Sequence, residues 1–367
     1  MEPAPKLQHL QSIRAVEMLS AAHEGMVARG RPLTEPFAAL VAQCSLELLD
    51  VWDRLSQRGG EAAGEGAADL LRASMPLLLA ALASDGLEVS SSTMPFLHAY
   101  LGRLRKLLPA ASAIAQHEAH LQQLLVQLAR RSDTYRSVGH VSLGRTRAAG
   151  LPSEEPGHGE AGRDPDDDET SFADYRREVS TLFRSAARVH PSLACAFVKS
   201  TLQSVLGASD AERPEGVQWS HVEVALWLLY LLGEGLPEAT TREKGGPFGE
   251  LMLALLSSSA ASHPHAAVSL QYLEIVVRYY RFFLQQPALL PDTLRSFLGA
   301  RGIRLFLQRS SNVPRTFLEP SSTSAGASAC GLLLGSGLAS EEQAAAAAAK
   351  LSELLALPMN QLQATSM

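Results

Sequence analysis

Between Val268 and Phe283 the polar residues Gln271, Glu274, Arg278 and Arg281 recur at +3, +7 and +10, and almost every other position is apolar. A helix with so narrow a polar stripe packs against neighbours on several sides. Glu274 and Arg278 form an i,i+4 pair in the favourable order. The segment 222–236 repeats the design. Val222, Ala225, Leu226, Leu229, Leu232 and Leu236 make one stripe, Trp227, Leu228 and Leu231 widen it, and Pro237 closes the helix. The same periodicity predicts helices over 7–29, 35–57, 66–84, 92–107, 111–131, 171–189, 192–206, 219–235, 247–259, 265–285 and 291–300. No run of alternating apolar and polar residues meets the test for a strand. The expected fold class is all-α.

The spacing of these helices carries a second signal. Three successive helix pairs begin near Phe172, Trp219 and His265, at intervals of 47 and 46 residues. The pairs break at His190-Pro191, at Leu236-Pro237 with Gly245-Gly246-Pro247, and at Gln286-Pro287. An all-helical period in the forties marks HEAT or armadillo-type repeats. The expected architecture is an α-solenoid of HEAT-like antiparallel helix pairs, each contacting its neighbours. Residues 1–131 are expected to form N-terminal helical repeats and 171–309 HEAT-like repeats. Between them, 132–170 reads as an acidic flexible insertion, with Thr170 or Ser171 capping the next helix. Residues 310–367 read as a low-complexity tail with one helix after Ser340, where Ser340 and Gln343 form a capping box and Pro358 ends the helix.

Composition narrows the chemistry. The chain has 367 residues and a formal net charge of −6, so it is no generally basic nucleic-acid binder. Cys44, Cys195 and Cys330 are far apart and no C-x-x-C occurs, which suggests neither a zinc ribbon nor a disulfide framework and fits a reducing compartment. The N-terminus has no basic n-region or apolar h-region of a signal peptide. The longest apolar runs, from Met75 and Val224, are about half a membrane span, so no membrane insertion is expected. Asp164, Asp166 and Asp168 occupy the first three ligand positions of a calcium loop. Glu169 stands where that loop needs Gly, and Tyr175 where it needs a chelating Glu. His263 and His265 flank Pro264 with no acid or Cys nearby, which fits a helix-starting turn better than a metal site. No phosphate-cradling motif and no G-x-S-x-G elbow occurs, the nearest stretch being Gly335-Ser336-Gly337 in the tail. The chain is expected to be no enzyme and to hold no cofactor and no metal.

The basic residues are the remaining candidates. Arg103, Arg105 and Lys106 form one cluster, and Arg130 and Arg131 a second, followed by Arg136, Arg145 and Arg147. Arg177, Arg184 and Arg188 lie at intervals of seven and four on one helix face, with Arg176 beside them, and Arg301, Arg304 and Arg309 make a fourth group. One reading is a set of solvated helix faces. The other is the basic inner surface of a solenoid that follows a nucleic-acid backbone, with Arg103, Arg105, Lys106, Arg130, Arg131, Arg177, Arg184 and Arg188 on the phosphates.

The wording of the sequence adds a resemblance. The acidic run D-P-D-D-D-E is followed by F-A-D-Y-R-R-E-V-S-T-L-F-R-S-A-A-R-V-H-P-S-L and then H-V-E-V-A-L-W-L-L-Y-L-L-G-E-G-L-P. Next come V-S-L-Q-Y-L-E-I-V-V-R-Y-Y-R-F-F and L-P-D-T-L-R-S-F-L-G-A-R-G-I-R. In this order and spacing they resemble the central part of the exportin-T family, tRNA exporters of the importin-β (karyopherin) superfamily. The resemblance is specific over 166–304, looser over 15–135, and stops at Arg304, where L-F-L-Q-R-S-S-N-V-P-R replaces the expected next helix pair. It implies a solenoid that binds tRNA and Ran-GTP together, passes nuclear pore proteins and shuttles between nucleus and cytoplasm. Family members are far longer, so a partial chain is expected, lacking the N-terminal repeats that make the main Ran contact. A second class stays open: an α-solenoid scaffold for protein partners without RNA binding.

Overall fold

The structure is a computed structural model that describes residues 2–59, 61–107, 114–132, 165–206, 218–290 and 292–293. Among the described residues all regular structure is helical. The fold is all-α, of the α-solenoid type. The helices are α1 (Pro3–Ser12), α2 (Ala15–Val27), α3 (Glu35–Gly59), α4 (Glu61–Leu82), α5 (Leu87–Ser91), α6 (Met94–Lys106), α7 (118–132), α8 (Pro165–Val189), α9 (Pro191–Val205), α10 (Trp219–Gly235), α11 (Glu238–Thr241), α12 (Pro247–Leu256) and α13 (Ala266–Arg278). Two compact units divide the chain, Met1–Met252 and Leu253–Met367.

In the first unit, helices pair within a repeat and stack between repeats. The Cβ position of Gly64 lies against Trp52 and Ser56. Ser45 and Ser74 share a buried hydrogen bond of 3.0 Å, and Ala38 and Ala81 meet in one apolar cluster. As the α3 number falls the α4 number rises, which is the register of an antiparallel pair. Between repeats the register is parallel. Arg176 reaches Glu223, 47 residues on, and Arg184 reaches Glu234, 50 residues on. Gly235 sits against Ala187 and the Arg184 backbone. So α8 and α10, the first helices of successive pairs, run side by side in the same direction. Lys199 on α9 likewise meets Glu250 on α12, 51 residues away.

The apolar stripe expected on α10 is the core. Val222, Ala225, Leu226, Leu229 and Leu232 are all buried. Glu223 is buried with them, because it pairs with Arg176 rather than facing water. In the second unit α13 buries Val268, Tyr272, Leu273, Ile275 and Val276, and also Gln271 from the expected polar stripe.

Three expectations need correction. The single helix predicted over 7–29 is two helices, broken at Arg14 with φ 51°. α1 is tied to α3 by Lys6–Glu47 and by Arg58–Glu2 at 2.6 Å, whereas α2 packs on α4, so the chain has to turn between them. A left-handed non-glycine residue costs about 1 kcal/mol or more, which these contacts offset. The helix predicted from 171 starts at Pro165, so neither Thr170 nor Ser171 is its cap. The sequence P-D-D-D-E is itself a good helix start, with proline in the first turn and acids near the positive end of the dipole. The helix predicted over 265–285 ends at Arg278, and a 3₁₀ turn over Tyr280–Leu284 follows. The expected insertion up to residue 164, the rest of the 291–300 helix, the tail helix, Cys330, and the arginines at 136, 145, 147, 301, 304 and 309 lie outside the described residues.

Histidines start several helices. His190 Nδ1 accepts from Leu193 N–H and His265 Nδ1 from Ala267 N–H, each at 3.3 Å. His221 Nδ1 accepts from Gln218 N–H at 3.2 Å. At 190 and 265 the imidazole does the work of an Asn or Asp cap, and at 221 it fills the third-position Glu role of a capping box with Gln218. Among the described residues no cluster of His, Cys, Asp or Glu is arranged to hold a metal, and no helix is long and apolar enough to cross a membrane.

Candidate nucleic-acid interface

The eight cationic candidates divide by what their charge already meets. Arg103 is 7% exposed, lies over the Trp52 ring at 4.6 Å and pairs with Asp53 at 3.2 Å. Lys106 reaches the same carboxylate at 3.1 Å. Arg131 is 2% exposed and meets Asp85 through both its carboxylate, at 3.6 Å, and its backbone carbonyl, at 3.3 Å. Arg184 bridges α8 to α10 through Glu234 at 2.9 Å. Arg177 is solvated and pairs with Asp174 at 3.1 Å, one turn back. Arg130 is exposed. Five of these six cations are thus already met by a carboxylate.

The Arg103 pair belongs to a device the chain uses twice. Trp52 and Asp53 on α3 hold Arg103 of α6. Trp227 and Glu223 on α10 hold Arg176 of α8, with the guanidinium 4.5 Å from the ring. A cation between a carboxylate and an aromatic face is stabilised by both. Sequence reasoning grouped these arginines by proximity along the chain. The signal that would have separated them is an acid one repeat away: Asp53 for Arg103, and Glu223 for Arg176.

Next to the first device lies a buried polar cluster. Tyr100 and His117 Nδ1 are 2.8 Å apart, and the His117 ring stacks on Trp52. Burial, with the nearby Arg72 charge and His120, lowers the His117 pKa from 6.5 to about 4. Burial raises the Tyr100 pKa, so its hydroxyl keeps the proton and the bond joins two neutral groups. Cys44 and Cys195 are free thiols whose pKa values burial raises, in keeping with packing rather than nucleophilic use.

α6 and α8 also run parallel, and two clefts open along their seam. The larger, about 430 Å³, has Leu87, Met94, Pro95 and Tyr175 as apolar walls and Glu88, Asp174 and Glu178 as carboxylates. The smaller, about 200 Å³, is lined by His98, Leu101, Gly102, Arg105, Ser185 and Arg188. Here the structure brings together two of the predicted residues, Arg105 and Arg188. They are 83 residues apart in sequence, against 47–50 for the α8–α10 pairs. The surplus is about the length of the 132–170 segment. His98, Gly102 and Ser185 were not singled out by sequence, because nothing local marks them. His98 lines both clefts, so the seam has an acidic end and a basic end.

The family model for exportin-T matches residues 155–313. Exportin-T of Mus musculus is 26% identical over 309 residues, 83% of this chain and 29% of that protein. Exportin-T of Homo sapiens is 27% identical over 274 residues, 73% of this chain and 25% of that protein. Exportin-T of Oryza sativa subsp. japonica is 30% identical over 270 residues, 72% of this chain and 24% of that protein. The chain thus spans 24–29% of the length of these relatives. The family match runs past Arg304 to residue 313, so the likeness extends further than the residue wording suggested. A share of 83% exceeds everything from 155 onward, so the mouse likeness takes in the N-terminal helices too.

Proposed function

The chain is an exportin-T-like protein, and from that premise we propose that it acts in the export of tRNA from the nucleus, binding tRNA cooperatively with Ran-GTP. Its site of action is the nucleus, the nuclear pore with its proteins, and the cytoplasm. It performs no chemistry on its cargo and needs no cofactor. One observation carries the reading: the exportin-T match covers the same stretch in which α8 and α10 stack in parallel at a one-repeat offset. Such stacking offers a run of helix faces on which side chains can follow a phosphate backbone, reading shape rather than base sequence. Cooperation between tRNA and Ran-GTP requires that each raises the affinity for the other by the same factor.

Fluorescence anisotropy of labelled tRNA, with and without Ran-GTP and over a series of salt concentrations, tests it. The expected outcome is salt-sensitive tRNA binding that tightens when Ran-GTP is present. A flat titration under both conditions refutes it. A second reading, a solenoid scaffold for protein partners, is favoured by the commitment of Arg103, Lys106, Arg131 and Arg184 to internal carboxylates. It predicts that same flat titration.

A further inference from the structure

The small cleft between α6 and α8 is distinguished by what it lacks. Arg105 and Arg188 line it from opposite helices, and no carboxylate does. Arg103, Arg131, Arg177 and Arg184 each meet an acid. Arg105 and Arg188 meet none among the described residues, and both are exposed. Two guanidinium groups facing one space repel each other, so the arrangement is at its most favourable when an anion sits between them.

Gly102 gives a second, independent sign. It lies inside α6, where glycine weakens a helix relative to alanine. The fold does not ask for it: its φ is not positive, and a Cβ built there meets nothing within 4 Å. Its missing side chain instead opens the wall of the cleft, as is needed where a ligand backbone approaches closely. Ser185 cannot share the donating role, because its hydroxyl hydrogen goes to the Thr181 carbonyl at 2.8 Å. The donors are the two arginines and His98.

We propose that this cleft is a phosphate-binding site that takes one phosphodiester of an RNA backbone between Arg105 and Arg188. The assignment rests on the tRNA reading above and adds to it where one stretch of backbone sits. Planar guanidinium forks suit phosphate oxygens, and a ribose-phosphate chain can close against the bare α6 backbone at Gly102. The acidic cleft beyond His98 repels the same strand, so the backbone leaves the site on the side away from Glu88, Asp174 and Glu178.

The test uses the full chain and two probes, tRNA followed by anisotropy over a salt series and inorganic pyrophosphate followed by calorimetry. The variants are the double substitution Arg105→Ala/Arg188→Ala, and Gly102→Leu, which fills the cleft and leaves every charge in place. Lys199→Ala on α9 is the control for loss of a surface cation. Both cleft variants are expected to weaken tRNA binding by about tenfold, and the double variant to reduce the salt slope by about 1. Both abolish the pyrophosphate signal, and Lys199→Ala does neither. Unchanged binding of both probes overturns the site. Loss of pyrophosphate binding with tRNA binding unaltered overturns the RNA assignment and leaves a site for another phosphorylated or acidic partner. A wild-type chain that binds pyrophosphate through Arg105 and Arg188 but no tRNA separates the two cases, since the export reading then fails and the phosphate site stands.

Discussion

Glu223 is 1% exposed, and its carboxylate meets Arg176 at 3.0 and 3.3 Å while that guanidinium lies over Trp227. The substitution Glu223→Gln keeps the volume and removes the charge. It leaves the Arg176 cation, 15% exposed, without its counter-ion in the α8–α10 interface. Breaking a fully buried pair costs about 3–5 kcal/mol. The residual exposure of Arg176 and its retained ring contact reduce this to about 2–4 kcal/mol. For a unit of this size that corresponds to a fall in melting temperature of about 5–12 °C, read by circular dichroism. The double substitution Arg176→Met/Glu223→Leu removes both charges and fills the space, and should return to within about 1 kcal/mol of the original. The reasoning is refuted if the single change costs less than about 1 kcal/mol, or if the double is as damaging as the single.

The His117 pKa of about 4 sets a pH dependence. The folded ring stays neutral where an unfolded one, near 6.5, takes up a proton, so stability is fully present above pH 6.5 and is lost as pH falls toward 4, by about 3 kcal/mol at most. A His117→Phe variant melted across pH 4–7 should show a shallower slope than the parent, and an identical slope contradicts the assignment. Gly235→Ala should destabilise by about 1–3 kcal/mol, since its Cβ would sit 2.9 Å from Ala187 Cβ and 3.0 Å from the Arg184 carbonyl oxygen. Gly102→Ala should instead stabilise by about 0.5–1 kcal/mol, as its Cβ meets nothing. Denaturant midpoints that move in the same direction for both glycines would break this argument.

The helices were legible because their apolar periodicity is long and unambiguous, as in 222–236, where every residue of the predicted stripe is buried. The start of α8 was not, because an acidic, proline-containing run suits both a solvated loop and a helix N-terminus. Composition does not choose between them. The break at Arg14 was invisible because it is imposed by the separate docking of α1 on α3 and α2 on α4. In the candidate interface, charge clustering along the chain found Arg105 and Arg188 but placed them in different groups. Their meeting depends on α6 and α8 being neighbours across the 132–170 segment, which local pattern does not encode. Burial of Arg103 and Arg131 was likewise hidden, because their partners lie about one repeat away.

The Arg176–Glu223–Trp227 arrangement also constrains how the chain can change over generations. Loss of either charge alone crosses a poorly stable intermediate, whereas joint replacement is nearly neutral. Positions 176 and 223 should therefore be inherited as a unit across lineages, either kept together or exchanged together. A substitution that drifts freely on the solvent side of α8 is held back here by a residue one full repeat downstream. The repeat spacing thus becomes a unit of heredity as well as of architecture.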